Sequence, residues 1–137
     1  MTAATDEVHA IQNLKARYCA VADHAAQDPD ASRAALHALF LPEVVADYGY
    51  GRLEGVAAAA EFICTSIPVN SEWMLHMLHS PLIEVRGEAA TGEWTVMVHS
   101  KRREDGQIEV VIGRYRDSFR KVHGGWRIAA MTFLQMV

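Results

Sequence analysis

Helices gathered in the first half of the chain and strands in the second predict an α+β fold. Apolar residues recur at spacings of three and four as far as about residue 67, and at spacings of two beyond it. Asp105-Gly106 and Gly124-Gly125 then fall between successive apolar runs, the tight-turn pairs of an antiparallel meander.

The elements follow in order. From Thr5 to about Gln27, the residues Val8, Ile11, Leu14, Tyr18, Val21 and Ala25 form one apolar stripe of a long helix. With Leu14 at its centre, Ala16, Cys19, Ala20 and Asp23 make a second strip of small residues on the far side, so both sides of the helix are expected to face neighbours. Pro29 breaks the pattern. The run SRAALHALF predicts a second helix capped by Asp30 or Ser32 and stopped by Pro42. EVVADYG has strand character, GYGRLEG is turn-rich, and Val56 to Ile67 is an alanine-rich third helix ended before Pro68. Strands are expected through the Trp73 segment, TGEWTVMVHSKR, IEVVIGRYRDSFRKV and WRIAAMTFLQMV.

At 137 residues, half of them hydrophobic, the chain reads as one domain over 1–137 with enough apolar material for a core and a pocket. The net charge is −4, and the basic run KRRED is followed at once by acids, which argues against a nucleic-acid surface. Cys19 and Cys64 lie in apolar helical patterns and read as buried thiols of a reducing compartment, with a single bridge left open. The N-terminal MTAATDEVHA lacks the basic and apolar regions of a secretory signal, and no run is long enough for a membrane span. A cytoplasmic protein without membrane or nucleic-acid partners is expected.

WMLHMLHSPLIEV contains the sharpest ambiguity. As a helix it would place His76 and His79 on one face, as a metal site requires. As a strand it would send them to opposite faces.

Four stretches in their order, RYCAVAD, ALFLPEVVADYGYGRLEG, LHMLHSPLIEV and GRYRDSFRKVHGGWRI, resemble the nuclear-transport-factor-2-like superfamily, in particular its SnoaL-like and scytalone-dehydratase-like branch. The resemblance implies a cone-shaped α+β barrel, in which N-terminal helices pack on a strongly curved, mixed and mostly antiparallel sheet around an apolar pocket. It also implies that the Trp73 segment is a strand, with Met74 and His76 on one face, His79 on the other, a bend or bulge at Pro81, and no metal site. By position in that branch, Asp23 matches a helix aspartate, His76 and His99 two strand histidines, and Tyr48 a tyrosine. Tyr18 stands one turn earlier than the branch's other tyrosine, whose place Ala22 takes.

These residue types make a coherent set. An aspartate near a helix C-terminus is disfavoured by the helix dipole and calls for a partner. A carboxylate bonded to one imidazole nitrogen fixes the tautomer and raises the basicity of the other. His76 and His99 would then serve as acid and base, Asp23 would orient one of them, and Tyr18 and Tyr48 would hold the oxygen that gains charge. The expected activity is a cofactor-independent lyase, a dehydratase, acting on a small cyclic or aromatic hydroxy-ketone. Plainer roles exist for each: a solvated helix-end carboxylate, satisfied strand histidines and core tyrosines.

A second set is isomerase-like. Ketosteroid isomerase pairs an aspartate base with a tyrosine and a protonated aspartic acid, and Asp47, Tyr18 and Asp117 match those three by position. Asp47 and Tyr48 are neighbours on a strand, so a regular strand admits only one to the pocket. A third reading is a non-catalytic binding or dimerisation module. Trp94, Phe62, Met74, Phe133 and Arg114 are candidate contacts for a small hydrophobic or aromatic substrate. Both faces of the strand at Trp94 look partly buried, which suggests a homodimer or higher homo-oligomer formed through the sheet.

Overall fold

The computed structural model describes residues 3–136, with side chains from residue 6 onward. Met1 and Thr2, part of the N-terminal reading above, and Val137, the end of the last expected strand, lie outside the described residues.

Helix α1 (Ala3–His24) buries the expected stripe, with Ile11, Leu14, Tyr18 and Ala25 inaccessible. The predicted second strip is wrong in part. Lys15, Cys19 and Ala22 are buried as well, whereas Ala16 and Ala20 face solvent. The buried arc is centred nearer Ile11 and Ala22 than Leu14, and it reaches Asp23 at its edge.

Helix α2 (Pro29–Leu39) begins earlier than predicted. Asp28 caps it through Oδ1, which accepts from Ala31 N at 3.1 Å, and Pro29 opens the first turn, where its missing N–H costs nothing. Ser32 ties α2 to α1 instead of capping it: its hydroxyl donates to Val21 O at 2.9 Å. The chain turns extended at Phe40, ahead of Pro42, and enters β1 (Phe40–Asp47). Within the turn-rich stretch a short strand, β2 (Arg52–Glu54), pairs with β1.

The third helical segment runs on through Pro68 rather than ending before it. It comprises α3 (Val56–Glu61), a π-helical turn over Phe62–Ser66 and α4 (Ile67–Asn70). Ile67 N–H bonds to Phe62 O, five residues back. The widened turn shifts the ladder just before the residue that has no N–H to contribute.

Four long strands follow: β3 (Ser71–Arg86), β4 (Ala89–Arg102), β5 (Ile108–Val122) and β6 (Gly125–Gln135). Their sheet has the order β2-β1-β6-β5-β4-β3, antiparallel throughout except for β1 against β6, and it does not close. The β5–β6 turn is centred on His123-Gly124, both at positive φ, one residue before the predicted pair.

Curvature comes from two devices. Ser80 and Pro81 together oppose the single residue Trp94 between the pairs His79↔Thr95 and Leu82↔Glu93, a bulge where Ser80 takes φ 51. Gly92 and Gly113 supply the other. A Cβ at Gly92 would lie 2.8 Å from the Trp94 ring, and one at Gly113 2.8 Å from the Phe133 ring. Each aromatic ring therefore folds down onto bare backbone, and the sheet can bend around α1.

Candidate active site

Strand alternation decides which side chains reach the space between the curved sheet and the helices. The registers His76↔Val98↔Val111 and Met74↔Ser100↔Glu109 line up inward-facing rows across β3, β4 and β5. These residues line one cavity of about 430 Å³, closed on the other side by Tyr18 and Ala22 of α1 and by Phe62 and Ile63 of the π-helical turn.

His76 and Asp23 meet at its wall. The ring Nδ1 lies 2.6 Å from Asp23 Oδ1, and the main-chain N–H of His76 donates to both carboxylate oxygens at 3.1 Å. An ionised carboxylate only accepts, so the bond calls for a proton on Nδ1, and in the neutral ring Nε2 is then the acceptor. The main-chain bond holds the carboxylate independently of the ring. His76 is 5% and Asp23 17% exposed at the side chain, so solvent competes little for either.

A second group gathers around Tyr18. Its hydroxyl lies 2.7 Å from that of Tyr48, and the Tyr115 ring stands edge-on to the Tyr18 ring with centroids 6.3 Å apart. Tyr48 stacks on Phe62 with centroids 4.8 Å apart. Burial pushes the hydroxyls of Tyr18, Tyr48 and Tyr115 well above the ordinary tyrosine range, so all three stay protonated. In the Tyr18–Tyr48 pair one hydroxyl donates and the other accepts, which leaves the acceptor's own proton free for a third atom. Tyr115 also lies against the dyad, its ring roughly parallel to that of His76 with centroids 6.4 Å apart.

The cavity lining is mixed. Ile63, Val98, Val111 and Phe133 are apolar, whereas Ser66, Asn70, Ser71, Ser100, Glu109 and Gln135 add polar groups. Tyr50, 84% exposed, also borders the space and leans on Phe62 at 5.9 Å. Gly49 and Gly51 flank it at φ 98 and 112, a backbone that glycine adopts without strain.

Asp23, His76, Tyr18 and Tyr48 thus come together, and Met74, Phe62 and Phe133 line the same cavity. The remaining candidates do not join them. His99 alternates with the cavity-lining Val98 and Ser100, so it faces the outer side of the sheet, where its Nδ1 is buried without a hydrogen-bond partner. The inward position expected for a second histidine holds Val98. Arg114 is exposed on the outer face for the same reason of parity, next to the inward Tyr115. Trp94 points inward but packs against Phe119 and over Lys15, away from the cavity. Asp47 turns into its loop, accepting from Gly49 N at 2.8 Å, while Tyr48 enters the cavity. Asp117 is sealed in the core beside Lys15, at 2.9 Å.

Tyr115 was missed, although the alternation of GRYRDSF already separates Gly113, Tyr115, Asp117 and Phe119 from Arg114 and Arg116. Lys15 gave no signal, because a lysine on an amphipathic helix ordinarily reads as solvated. His79 is exposed on the face opposite His76, so the two cannot share an ion. Among the described residues no three His, Cys, Asp or Glu side chains converge as a metal would need, and no helix is long and apolar enough to cross a membrane. Cys19 and Cys64 are buried free thiols.

The SnoaL-like domain pattern matches residues 3–132. No curated protein shows significant sequence similarity to the chain. Among solved structures, an NTF2-like superfamily protein from Salmonella enterica serovar Typhimurium is 26% identical with a TM-score of 0.82, over 93% of this chain and 89% of that one. A scytalone-dehydratase-like protein of Novosphingobium aromaticivorans superposes with a TM-score of 0.83 at 18% identity, over 97% and 86% of the two chains. The hexachlorocyclohexane dehydrochlorinase LinA-type3 of Novosphingobium barchaimii gives 0.84 at 15% identity, over 97% and 88%. The last two similarities are of fold alone.

Proposed function

Because the chain belongs to the SnoaL-like domain family within the NTF2-like superfamily, we propose that it is a cofactor-independent lyase of the dehydratase kind, working on a small cyclic or aromatic hydroxy-ketone. The observation that carries this reading is the Asp23–His76 pair at the wall of the cavity, with the ring Nδ1 2.6 Å from the carboxylate.

His76 Nε2 takes the proton from the carbon next to the substrate carbonyl. Asp23 stabilises the imidazolium that forms, and the electron pair of the broken C–H bond moves onto the carbonyl oxygen. The Tyr18–Tyr48 pair, with one proton to spare, donates to that oxygen. As the enolate collapses to the conjugated ketone, the carbon–oxygen bond on the neighbouring carbon breaks. The departing hydroxide takes the proton from His76, so water leaves and the base is restored. With Val98 where a second histidine was expected, His76 serves as both base and acid, which requires the two transfers on one face of the substrate.

One observation favours a second reading within the same class. The cavity offers no second histidine, and a leaving group that departs as a stable anion, such as a halide, needs no proton. The isomerase-like alternative loses support because Asp47 lies outside the cavity and Asp117 is paired in the core.

The test is a panel of cyclic β-hydroxy-ketones and their β-halo counterparts, followed by the absorbance of the conjugated product. Turnover that disappears in His76→Ala supports the reading. Tight binding with no turnover across both series would instead make the protein a binding module.

A further inference from the structure

Lys15 lies entirely buried behind the tyrosines of the cavity. Its ammonium sits 3.4 Å from the centroid of the Tyr115 ring, 4.6 Å from that of Tyr18 and 5.7 Å from that of Trp94. Its counter-ion is Asp117 at 2.9 Å, and both side chains are wholly inaccessible. Beyond that carboxylate, the ammonium's neighbours are ring faces.

Such a pair is a costly way to fill a core, since apolar residues of similar volume generally serve as well or better. An ammonium with a single carboxylate partner and ring faces on its other sides is more unusual still. Both of the nearest rings belong to tyrosines that line the cavity. A cation on a ring face draws electron density from the whole phenol, oxygen included, and in a low-dielectric interior this influence is poorly screened. The phenol then becomes a stronger hydrogen-bond donor.

We propose that Lys15, held by Asp117, is a positioning residue of the cavity: from behind, it polarises Tyr115 and Tyr18 so that their hydroxyls stabilise an oxygen gaining negative charge. This rests on the reading of the tyrosines as donors to such an oxygen. It adds Tyr115 to the donors and gives the buried ion pair a chemical purpose. The groups facing the ammonium are Asp117, the two tyrosines, Trp94 and, one turn along α1, the thiol of Cys19.

The probe is para-nitrophenol, whose phenol and phenolate forms are distinguished by their absorbance, titrated into the intact protein on either side of the probe's own ionisation. The readout is the ratio of phenolate to phenol affinity. Lys15→Met with Asp117→Asn removes both charges at nearly constant volume and leaves no unpaired buried ion. It is expected to lower the ratio about tenfold while neutral phenol binds as before. Asp117→Asn alone leaves the cation uncompensated and is expected to raise the ratio. A purely structural ion pair would not shift the ratio in opposite directions. If Asp117→Asn fails to fold, the double variant decides alone.

A wild-type ratio in the folded double variant, with a lowered ratio in Tyr48→Phe, overturns the role of Lys15 and leaves the proposed function standing. An unchanged ratio in Tyr48→Phe and Tyr18→Phe as well, or no binding of phenolate by the wild-type chain, removes the tyrosine donors and the lysine's role together.

Discussion

The carboxylate of Asp23 accepts from His76 twice over, once from the ring at 2.6 Å and once from the main chain at 3.1 Å. The main-chain bond does not depend on the ring, so the two functions can be separated. Asp23→Asn keeps a carbonyl oxygen for the main-chain N–H but removes the negative charge facing the ring. It is expected to fold like the wild type, as judged by circular dichroism, and to lose about 10²- to 10⁴-fold in kcat. Wild-type kcat in this variant would show that the pair is structural.

The tyrosines should separate by role. Tyr48→Phe removes a hydroxyl that has Tyr18 as its partner, and a loss of about 10²-fold in kcat with little change in KM is expected if the interaction strengthens in the transition state. A rise in KM alone, in steady-state kinetics, would make Tyr48 a binding group only.

A pH prediction concerns the other end of α1. Glu7 accepts from Lys121 Nζ at 2.8 Å and from the indole N–H of Trp126, and these bonds hold its carboxyl below the ordinary value of 4.5. Its folded-state pKa is depressed, so its contribution is present above the unfolded value and is lost as pH falls through the folded one. Glu7→Gln should therefore lower the urea midpoint at neutral pH, and the difference from wild type should shrink as the pH falls below 4.5. A difference independent of pH would contradict this.

We also propose a second copy of the chain as the cover for the outer face of the sheet. Leu75, Met77, Ile108 and Val110 are exposed there, around His99 with its unpartnered nitrogen. Sedimentation should give a dimer, and Met77→Lys with Val110→Glu should give a folded monomer. A wild-type chain that stays monomeric at all concentrations would rule the cover out.

The sequence carried the fold well because periodicity is a property of one chain read locally: α1 and the four long strands were all legible from it. The separation of His76 from His79 came from the family resemblance, since their spacing alone also fitted one face of a helix. The losses came where a single residue of register matters. His99 and Val98 are neighbours on one strand, and nothing in WTVMVHS says which of them faces inward without the pairing to β3 and β5. Pro68 looked like a stop because the π-helical turn that accommodates it leaves no signature in the sequence. Lys15 was invisible because its burial depends on Asp117, 102 positions away, and on rings that only the tertiary fold brings over it.

The central claim is that His76, oriented by Asp23, removes a proton from carbon next to a carbonyl. The most direct measurement uses cyclic ketones without a leaving group, incubated with the protein in deuterium oxide, and follows deuterium entering the carbon beside the carbonyl by mass spectrometry. Incorporation above the solvent rate, abolished in His76→Ala and strongly slowed in Asp23→Asn, is the predicted result. Incorporation by His76→Ala at the wild-type rate would contradict the account.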